Sequence, residues 1–177
     1  MDSHLATYIE KGDPLVRAVV CFLVKDNKVI LGLRKRVSLG LGANLISGIG
    51  GKVGDKPEFQ NETDEEGLRR EVKEEIGVDI LEFEKMGRIC FYFMTKPKWN
   101  QEVIAYIVTS WKGTPLETES IKPMEFNIHN LPKTQMWDDN TYWVPMLLEG
   151  KKFTASFLYG EDNKTVIENI ITIINEI

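Results

Sequence analysis

The feature that most constrains the fold of this chain is the acidic segment Glu62–Ile76, which contains seven acidic and three basic residues. At about 100° per residue, its aliphatic side chains fall within one arc of about 80° and form an apolar stripe. These side chains are Leu68, Val72 and Ile76. Asn61 can cap the N-terminus of a helix, and Gly77 stands where helices commonly end. The pattern predicts a helix that packs one face on a core.

Three glutamates share one flank of this predicted helix, beside the apolar stripe. With Leu68 placed at zero, Glu74, Glu71 and Glu75 fall at about 240°, 300° and 340°. Carboxylates at i, i+3 and i+4 repel one another and weaken an isolated helix. A hard divalent cation relieves the repulsion, and ligands that are all oxygen suit Mg²⁺ or Mn²⁺. The pattern indicates a metal site, and its alternative is a solvated acidic face.

The other segments predict strands on both sides of this helix. The β-rich runs are Leu15–Val24, Val29–Leu33, Ile80–Met94, Glu102–Trp111 and Lys152–Leu158. The first two runs predict a hairpin, because a turn-forming cluster joins them. Arg34–Gly51 contains three basic residues and five glycines. It predicts a flexible loop whose backbone can approach a ligand. Thr114–Asn130 predicts irregular structure.

The two ends of the chain have different patterns. Residues 1–13 are mostly polar and are followed by Pro14, so they predict a flexible N-terminal arm. Lys164–Ile177 repeats isoleucine and valine at i, i+3 and i+4, which predicts a closing helix docked on the core. Because no linker or repeat is visible, residues 14–177 are expected to form a single domain.

Composition excludes several classes of function. The net charge of −5 disfavours general binding to nucleic acid duplexes. The longest apolar run, Ala18–Val24, is too short to span a bilayer, and the first residues show no secretory signal. The two cysteines lie in apolar runs, as expected for free thiols in a reducing cytoplasm. Two histidines are too few for a histidine-rich metal site or a convincing Ser-His-Asp triad.

The acidic segment also carries a recognisable motif. Arg70–Val78 reads R-E-V-K-E-E-I-G-V, and seven residues separate Glu62 from Arg70. This resembles the end of the Nudix box, R-E-U-x-E-E-x-G-U with U aliphatic, preceded by a glutamate at that spacing. Gly50–Val53 reads G-G-K-V and resembles the start of the box in MutT-type members. The chain therefore resembles the MutT-like Nudix hydrolases.

One departure from the box lies in the loop before the predicted helix. Ten residues separate Gly51 from Glu62, whereas the usual spacing in the family is five. Residues such as Asp55, Pro57 and Phe59 therefore resemble a five-residue insertion. The insertion leaves the helix carboxylates in register but changes the geometry of the loop.

The resemblance implies an α/β (α+β) Nudix fold, with a mixed β-sheet sandwiched between helices. It also implies metal-assisted attack of water on phosphorus in a nucleoside diphosphate derivative. Residues matching the family's metal ligands are Glu71, Glu74, Glu75 and the carbonyl of Gly50. Arg70, also expected to be catalytic, would orient a carboxylate. Many relatives carry a further glutamate where this chain has Ser120, and Glu119 stands one residue earlier.

A second resemblance covers the substrate pocket. Three segments are similar to segments of family members that hydrolyse oxidised purine nucleoside triphosphates. They are Met136–Phe153, Phe91–Phe93 and Gly113–Pro115. Positions matching their substrate-binding residues are Arg34, Ser47, Phe91, Phe93, Trp137, Asp139 and Asn140. Ser47 replaces an asparagine and Asn140 replaces an aspartate of those relatives. For the three aromatic residues the alternative is core packing, and for Arg34 it is an exposed charge.

These observations predict a cytoplasmic enzyme that converts oxidised purine nucleoside triphosphates, such as 8-oxo-dGTP, to monophosphate and pyrophosphate with Mg²⁺ or Mn²⁺. The nucleotide substrate is the expected partner, and binding to nucleic acid duplexes or to membranes is not expected. One alternative is a Nudix hydrolase for another nucleoside diphosphate derivative or a pterin triphosphate. Another is a catalytically silent module that binds a nucleotide. The intact glutamate triplet argues against the silent module.

Overall fold

A computed structural model describes residues 4–13, 15–35 and 43–177. These residues form three α-helices and nine strands of one mixed sheet. The helices are α1 (His4–Lys11), α2 (Asp64–Ile76) and α3 (Asn140–Leu148). The strands are β1 (Val16–Lys25), β2 (Lys28–Arg34), β3 (Ile46–Ser47), β4 (Ile49–Lys52), β5 (Asp79–Phe93), β6 (Gln101–Lys112), β7 (Ile121–Asn127), β8 (Lys152–Tyr159) and β9 (Val166–Ile174).

The sheet has the order β3-β2-β1-β6-β5-β8-β9, with β4 paired to β1 and β7 paired to β2. The β1–β6 and β5–β8 pairs are parallel, and the other pairs are antiparallel. The apolar stripe of α2 packs in one cluster with β1 and β6. Trp143, Val144 and Leu147 of α3 belong to a second cluster with Phe22 and Phe153. The predicted mixed sheet between helices is confirmed.

Helix α2 begins and ends through local interactions that its sequence encodes. Its N-cap is Thr63, not Asn61 as the sequence analysis predicts. The backbone N–H of Glu66 donates to the Thr63 hydroxyl at 3.2 Å, and the Thr63 N–H donates to the Glu66 carboxylate at 2.8 Å. This reciprocal capping box satisfies two backbone donors at once, which a single asparagine cap cannot do. Gly77 ends the helix with φ of 77°, as predicted.

The C-terminal segment is a strand, so the helix predicted over Lys164–Ile177 is wrong. Strand β9 runs antiparallel to β8 along its whole length. Its valine, isoleucine and threonine side chains favour extended backbone, and the edge of β8 supplies hydrogen-bond partners that override the helical spacing. The irregular structure predicted for Thr114–Asn130 is also wrong where β7 forms a seven-residue strand against β2.

The N-terminal segment is folded where the structure describes it. Helix α1 buries Leu5 completely beside Tyr92 and Leu158. The Glu168 carboxylate of β9 accepts hydrogen bonds from the backbone N–H groups of His4 and Leu5, at 3.1 and 3.0 Å. The flexible arm predicted for residues 1–13 is therefore wrong for His4–Lys11, because apolar burial and a carboxylate cap hold this helix. Residues 1–3 lie outside the described part.

The glycine-rich segment is only partly a loop. Its last residues form β3 and β4, and β4 pairs with β1 at Gly50 and Gly51. Residues 36–42, which include Gly40 and Gly42, lie outside the described residues. Within the described ranges, no helix has the length and apolar character needed to cross a membrane.

Candidate active site

Arg70 is the centre of a hydrogen-bond network between α2 and the preceding loop. Its guanidinium donates to both oxygens of Glu62, at 2.6 and 3.0 Å, and to the backbone carbonyl of Lys52 at 3.0 Å. It also donates to Glu71 at 2.5 Å and lies 3.4 Å from Glu74. The Glu62 hydrogen bonds raise the pKa of Arg70 above its usual value. Arg70 therefore fixes Glu71 relative to the strand that carries Gly50 and Gly51.

The insertion folds over this network. Pro57–Phe59 forms one turn of 3₁₀-helix, and the Glu62 N–H donates to the Phe59 carbonyl at 2.9 Å. The Phe59 ring lies 4.3 Å from the Arg70 guanidinium, a cation–π distance. Gly54, with φ of 69°, donates its N–H to Glu62 at 3.0 Å. The additional residues thus place an aromatic face on Arg70 and leave the carboxylates of α2 in place.

This contact leads to a prediction for Phe59. Phe59→Leu removes the aromatic face, and the loss of about 1 kcal/mol at Arg70 should lower kcat/KM about fivefold. The Mg²⁺ concentration for half-maximal activity should rise as well, because Arg70 holds Glu71. Phe59→Tyr keeps the face and should retain wild-type values, as should Glu58→Gln on the same turn. Equal kinetics for the leucine and tyrosine variants would show that the ring does not support Arg70.

The three glutamates of the α2 flank have different environments. The side chains of Glu71 and Glu75 are 14% and 11% exposed, whereas that of Glu74 is 50% exposed. Burial raises the pKa of Glu71, and it raises the pKa of Glu75 to about 7. The N–H of Gly50 donates to Glu75 at 3.0 Å, and the Arg34 guanidinium lies 3.8 Å from the same carboxylate. Two desolvated carboxylates and one accessible carboxylate therefore line one face of α2.

The donor set fits a divalent cation, although the side chains are paired with arginines here. Among residues 4–13, 15–35 and 43–177, no group of three or more His, Cys, Asp or Glu side chains is arranged to hold a metal ion. Space for the carboxylates depends on Gly51, because a Cβ there would lie 2.3 Å from a Glu71 oxygen. Oxygen-only ligands and the partly desolvated carboxylates of Glu71 and Glu75 suit Mg²⁺ or Mn²⁺. Glu74 contacts Arg70 and keeps half of its side chain exposed.

The loop before β7 contacts the C-terminal end of α2, which carries Glu75. The Thr118 hydroxyl donates to the carbonyl of Glu75 at 3.0 Å, and the Leu116 N–H donates to the carbonyl of Ile76 at 2.9 Å. The Lys35 N–H donates to the Ser120 carbonyl at 2.8 Å. Glu119 therefore stands on a loop that is held against the C-terminal end of α2.

An aromatic cleft lies near the N-terminal end of the segment that forms β3 and β4. It has a volume of about 760 Å³ and includes Trp137, Trp99 and Met136 in its lining. Phe93 stacks on Tyr159 with ring centroids 4.7 Å apart, and Tyr159 meets Trp137 edge to face at 6.1 Å. Trp137 is partly exposed, as a stacking surface for a base requires. Trp99 and Tyr159 were not predicted from the sequence, although Tyr159 continues the alternation of aromatic residues along β8.

Phe91 and Phe93 are core residues, and neither of them lines the cleft. Both rings are buried, at 7% and 2% exposure, and point to the same side of β5 as alternation predicts. Phe91 stacks on Phe157 at 5.7 Å, and Phe93 meets Trp99 edge to face at 5.6 Å. Phe93 therefore supports the wall of the cleft from below.

Asp139 and Asn140 form a buried polar cluster at the start of α3. Asp139 accepts hydrogen bonds from the Tyr159 hydroxyl, from the Trp143 indole N–H at 2.6 Å and from the Asn140 amide at 2.9 Å. Burial raises the pKa of Asp139. The sequence predicts a direct substrate contact for Asp139, but the structure gives its oxygens to these three donors. Asp139 thus orients Asn140, which retains a second amide N–H.

The predicted site residues fall into two groups joined by one segment. Arg34 lies with the glutamates rather than in the aromatic cleft. Ser47 lies between the groups and donates its hydroxyl to the Gly48 carbonyl at 3.1 Å. Leu45 lines the cleft and Gly50 contacts Glu75, so residues 45–50 join the two groups.

Comparison with known proteins agrees with this geometry. The model of the NUDIX domain matches residues 14–147, which is most of the chain. The chain belongs to the Nudix family. It is 34% identical to the oxidized purine nucleoside triphosphate hydrolase of Mus musculus over 145 residues, covering 82% of this chain and 86% of that protein. The Danio rerio protein of the same name is 34% identical over 141 residues, covering 79% and 85%.

The Nudix fold is also found among solved structures. The MutT protein of Bacillus halodurans has a TM-score of 0.74 and 18% sequence identity. The match covers 89% of this chain and 97% of that chain. It supports the fold, and the family assignment makes the chain a Nudix hydrolase, a class that generally requires divalent metal ions.

Proposed function

We propose that this Nudix hydrolase converts oxidised purine nucleoside triphosphates to nucleoside monophosphates and pyrophosphate. The observation that carries the proposal is the aromatic cleft at one end of residues 45–50 and the glutamates of α2 at the other. The curated relatives named as oxidised purine nucleoside triphosphate hydrolases support this substrate class. The two free cysteines, Cys21 and Cys90, support the cytoplasmic location that the sequence predicts.

Glu71, Glu74 and Glu75, with the carbonyl of Gly50, are proposed to hold Mg²⁺ or Mn²⁺. Such an ion neutralises phosphate charge and lowers the pKa of an attacking water. Arg70 orients Glu71, and Arg34 is proposed to contact the phosphates because it lies beside Glu75 with 28% of its side chain exposed. Glu119 is proposed as a further ligand on the loop fixed by Thr118.

The raised pKa of Glu75 gives a prediction for metal binding as a function of pH. The pKa of Glu75 is about 7 in the folded protein and near 4.5 in the unfolded chain. Between these two pH values, Glu75 is therefore protonated in more of the folded molecules than of the unfolded ones. Without metal, the free energy of unfolding should fall as pH rises through this window. A proton on Glu75 also competes with the cation. The increase in Tm caused by Mg²⁺ should therefore be larger at pH 8 than at pH 5.5.

The control for this prediction is Glu75→Gln, which removes the titrating group. That variant should show a smaller Mg²⁺-induced increase in Tm, and this increase should change less with pH than in the wild-type protein. An equal increase at both pH values in the wild-type protein would contradict the role of Glu75. Differential scanning fluorimetry at a series of Mg²⁺ concentrations supplies the measurement.

The base is proposed to stack on Trp137 while Asn140 reads its edge. Asp139 accepts a hydrogen bond from the Asn140 amide, so its NH₂ group is oriented as a donor, and its second N–H is proposed to reach O6 of a guanine base. Adenine presents a donor at that position, and an unpaired buried donor costs about 1–3 kcal/mol. Oxidised guanine nucleotides should therefore be preferred over adenine nucleotides about tenfold to a hundredfold near neutral pH.

The test compares kcat/KM for 8-oxo-dGTP, dGTP, 2-hydroxy-dATP and dATP at several pH values. Asn140→Asp should make the guanine preference depend on pH, because an aspartate donates only when protonated. Equal values for guanine and adenine nucleotides in the wild-type protein would refute base reading by Asn140. Turnover of none of the four, with release of product from another nucleoside diphosphate derivative, would refute the substrate class.

A further inference from the structure

Tyr159, the last residue of β8, contacts both parts of the proposed base site. Its ring stacks on Phe93 with centroids 4.7 Å apart and meets the ring of Trp137 edge to face at 6.1 Å. Its hydroxyl donates a hydrogen bond to the carboxylate of Asp139. Strands on both sides hold the residue, because Tyr159 lies opposite Phe93 of β5 and Val166 of β9. One fixed side chain therefore links the stacking surface to the polar cluster at the start of α3.

The hydroxyl of Tyr159 is the part of this side chain that core packing does not require. Phe153 and Phe157 lie on the same face of β8, and both are buried in the same core cluster as Tyr159. A third phenylalanine would fill that core equally well. Tyr159 is only 1% exposed, and a buried hydroxyl costs free energy unless it is hydrogen-bonded. The bond to Asp139 is therefore what distinguishes Tyr159 from a phenylalanine at this position.

The hydrogen bonds of Asp139 require an ionised carboxylate. Besides the bond from Tyr159, it accepts from the Trp143 indole N–H at 2.6 Å and from the Asn140 NH₂ group at 2.9 Å. An indole N–H and an amide NH₂ can only donate, so a protonated carboxyl would place a donor against a donor. Burial raises the pKa of Asp139, and the three hydrogen bonds lower it, that from Tyr159 most strongly. Tyr159 is therefore the main support of the ionised state.

The Tyr159 hydroxyl itself stays protonated and remains a donor. Burial raises its pKa, and the negative charges of Asp139 and Asp138 raise it further. Asp138 lies in the loop before α3, where its carboxylate accepts from the Val166 N–H at 2.8 Å. The groups that α3 presents to Asp139, the Trp143 indole and an amide, are neutral. The direction of the Tyr159 hydrogen bond is therefore fixed.

We propose that Tyr159 is a positioning residue for base selectivity, because its hydroxyl keeps Asp139 an acceptor and Asp139 keeps the Asn140 NH₂ group as the donor to the base. This inference rests on the proposed reading of the base by Asn140. The Asn140 backbone N–H donates to the Trp137 carbonyl at 3.0 Å, which anchors Asn140 beside the stacking surface. Trp137 and Thr141, on either side of Asn140 in the sequence, line the cleft.

Loss of the hydroxyl changes the group that Asn140 presents to the base. Without it, the Asp139 carboxylate loses its strongest donor, so its pKa rises further. A protonated Asp139 donates, and the Asn140 amide then turns so that its oxygen accepts this proton and faces the base. An acceptor at that place suits the amino group of adenine and opposes O6 of guanine. The preference for guanine should therefore weaken, and most strongly at acidic pH.

The first test is the ratio of kcat/KM for 8-oxo-dGTP to kcat/KM for 2-hydroxy-dATP in Tyr159→Phe. This ratio should fall at least about fivefold from the wild-type value, since a hydrogen bond to a charged group is lost, and it should fall further at acidic pH. Tyr106→Phe, which removes a buried hydroxyl in the cluster under α2, should leave the ratio unchanged. Tyr159→Leu also removes the ring beside Trp137, so it should raise KM for both nucleotides.

The second test needs no substrate. The Trp143 indole N–H donates to Asp139, so its NMR signal reports the ionisation of that carboxyl. From pH 5.5 to pH 8 this signal should stay constant in the wild-type protein and should shift with pH in Tyr159→Phe. The indole signals of the other three tryptophans should stay constant in both proteins, which shows that the variant is folded.

The two tests separate this inference from the proposed function. A folded Tyr159→Phe protein with the wild-type ratio at every pH overturns the role of Tyr159. A Trp143 signal that titrates in the wild-type protein, or one that does not respond to pH in Tyr159→Phe, overturns it as well. Turnover of neither nucleotide by the wild-type protein overturns the proposed function instead, and the Trp143 signal then decides alone whether Tyr159 keeps Asp139 ionised.

Discussion

Glu74→Gln should lower kcat at least about a hundredfold, which corresponds to about 3 kcal/mol. Glu74 is the accessible carboxylate of the α2 flank, and it lies 3.4 Å from Arg70 with half of its side chain exposed. The amide keeps the size of the side chain but removes the charge that a cation requires. Steady-state kinetics with 8-oxo-dGTP and saturating Mg²⁺ supply the measurement.

The matched control for Glu74→Gln is Glu65→Gln, an exposed glutamate in the first turn of the same helix. It changes the net charge of α2 equally and should leave kcat within about twofold of the wild-type value, less than 0.5 kcal/mol. Retention of more than about a tenth of wild-type kcat by Glu74→Gln, a loss of only about 1.4 kcal/mol, would remove Glu74 from the metal site.

Trp137→Ala should raise KM for purine nucleotides about tenfold to a hundredfold, because a stacking surface worth about 1–3 kcal/mol is lost. Trp137 lines the cleft and is supported edge to face by Tyr159. Since the substitution acts on the base and not on the phosphates, kcat should change much less than KM. The measurement is the dependence of initial rate on nucleotide concentration.

Trp137→Phe is the matched control, because it retains an aromatic face and should recover most of the lost affinity. Circular dichroism and Tm should show that both variants are folded. A folded Trp137→Ala protein with unchanged KM would mean that the base does not stack on Trp137. The cleft would then serve another part of the substrate.

Helix α2 and the flank that carries its three carboxylates could be predicted because their information is local. Residues 62–77 contain the apolar stripe of α2, its C-terminal glycine and the three carboxylates. The structure buries the stripe and ends the helix at the glycine, as predicted. Spacing alone sets which of these side chains share a face. The contacts of Arg70 with Lys52 and Phe59 could not be predicted, because they depend on how the insertion folds.

The errors occurred where distant segments meet. The isoleucines of β9 have helical spacing, yet pairing with β8 decides their conformation, and that partner is not encoded within β9. Helix α1 depends on Leu5 packing against Tyr92 and on a cap from Glu168, more than 160 residues away. The direct substrate contact of Asp139 stays a prediction, whereas its hydrogen bond with Tyr159, on a different strand, could not be predicted from the local sequence.

The most direct test of the proposed function is pyrophosphate release from 8-oxo-dGTP by the wild-type protein, with Mg²⁺ and with excess chelator. The two-group site predicts 8-oxo-dGMP and pyrophosphate in equal amounts, loss of turnover on chelation and recovery when Mg²⁺ is restored. Release of inorganic phosphate with 8-oxo-dGDP, or turnover that survives the chelator, would contradict metal-assisted cleavage at the glutamates of α2.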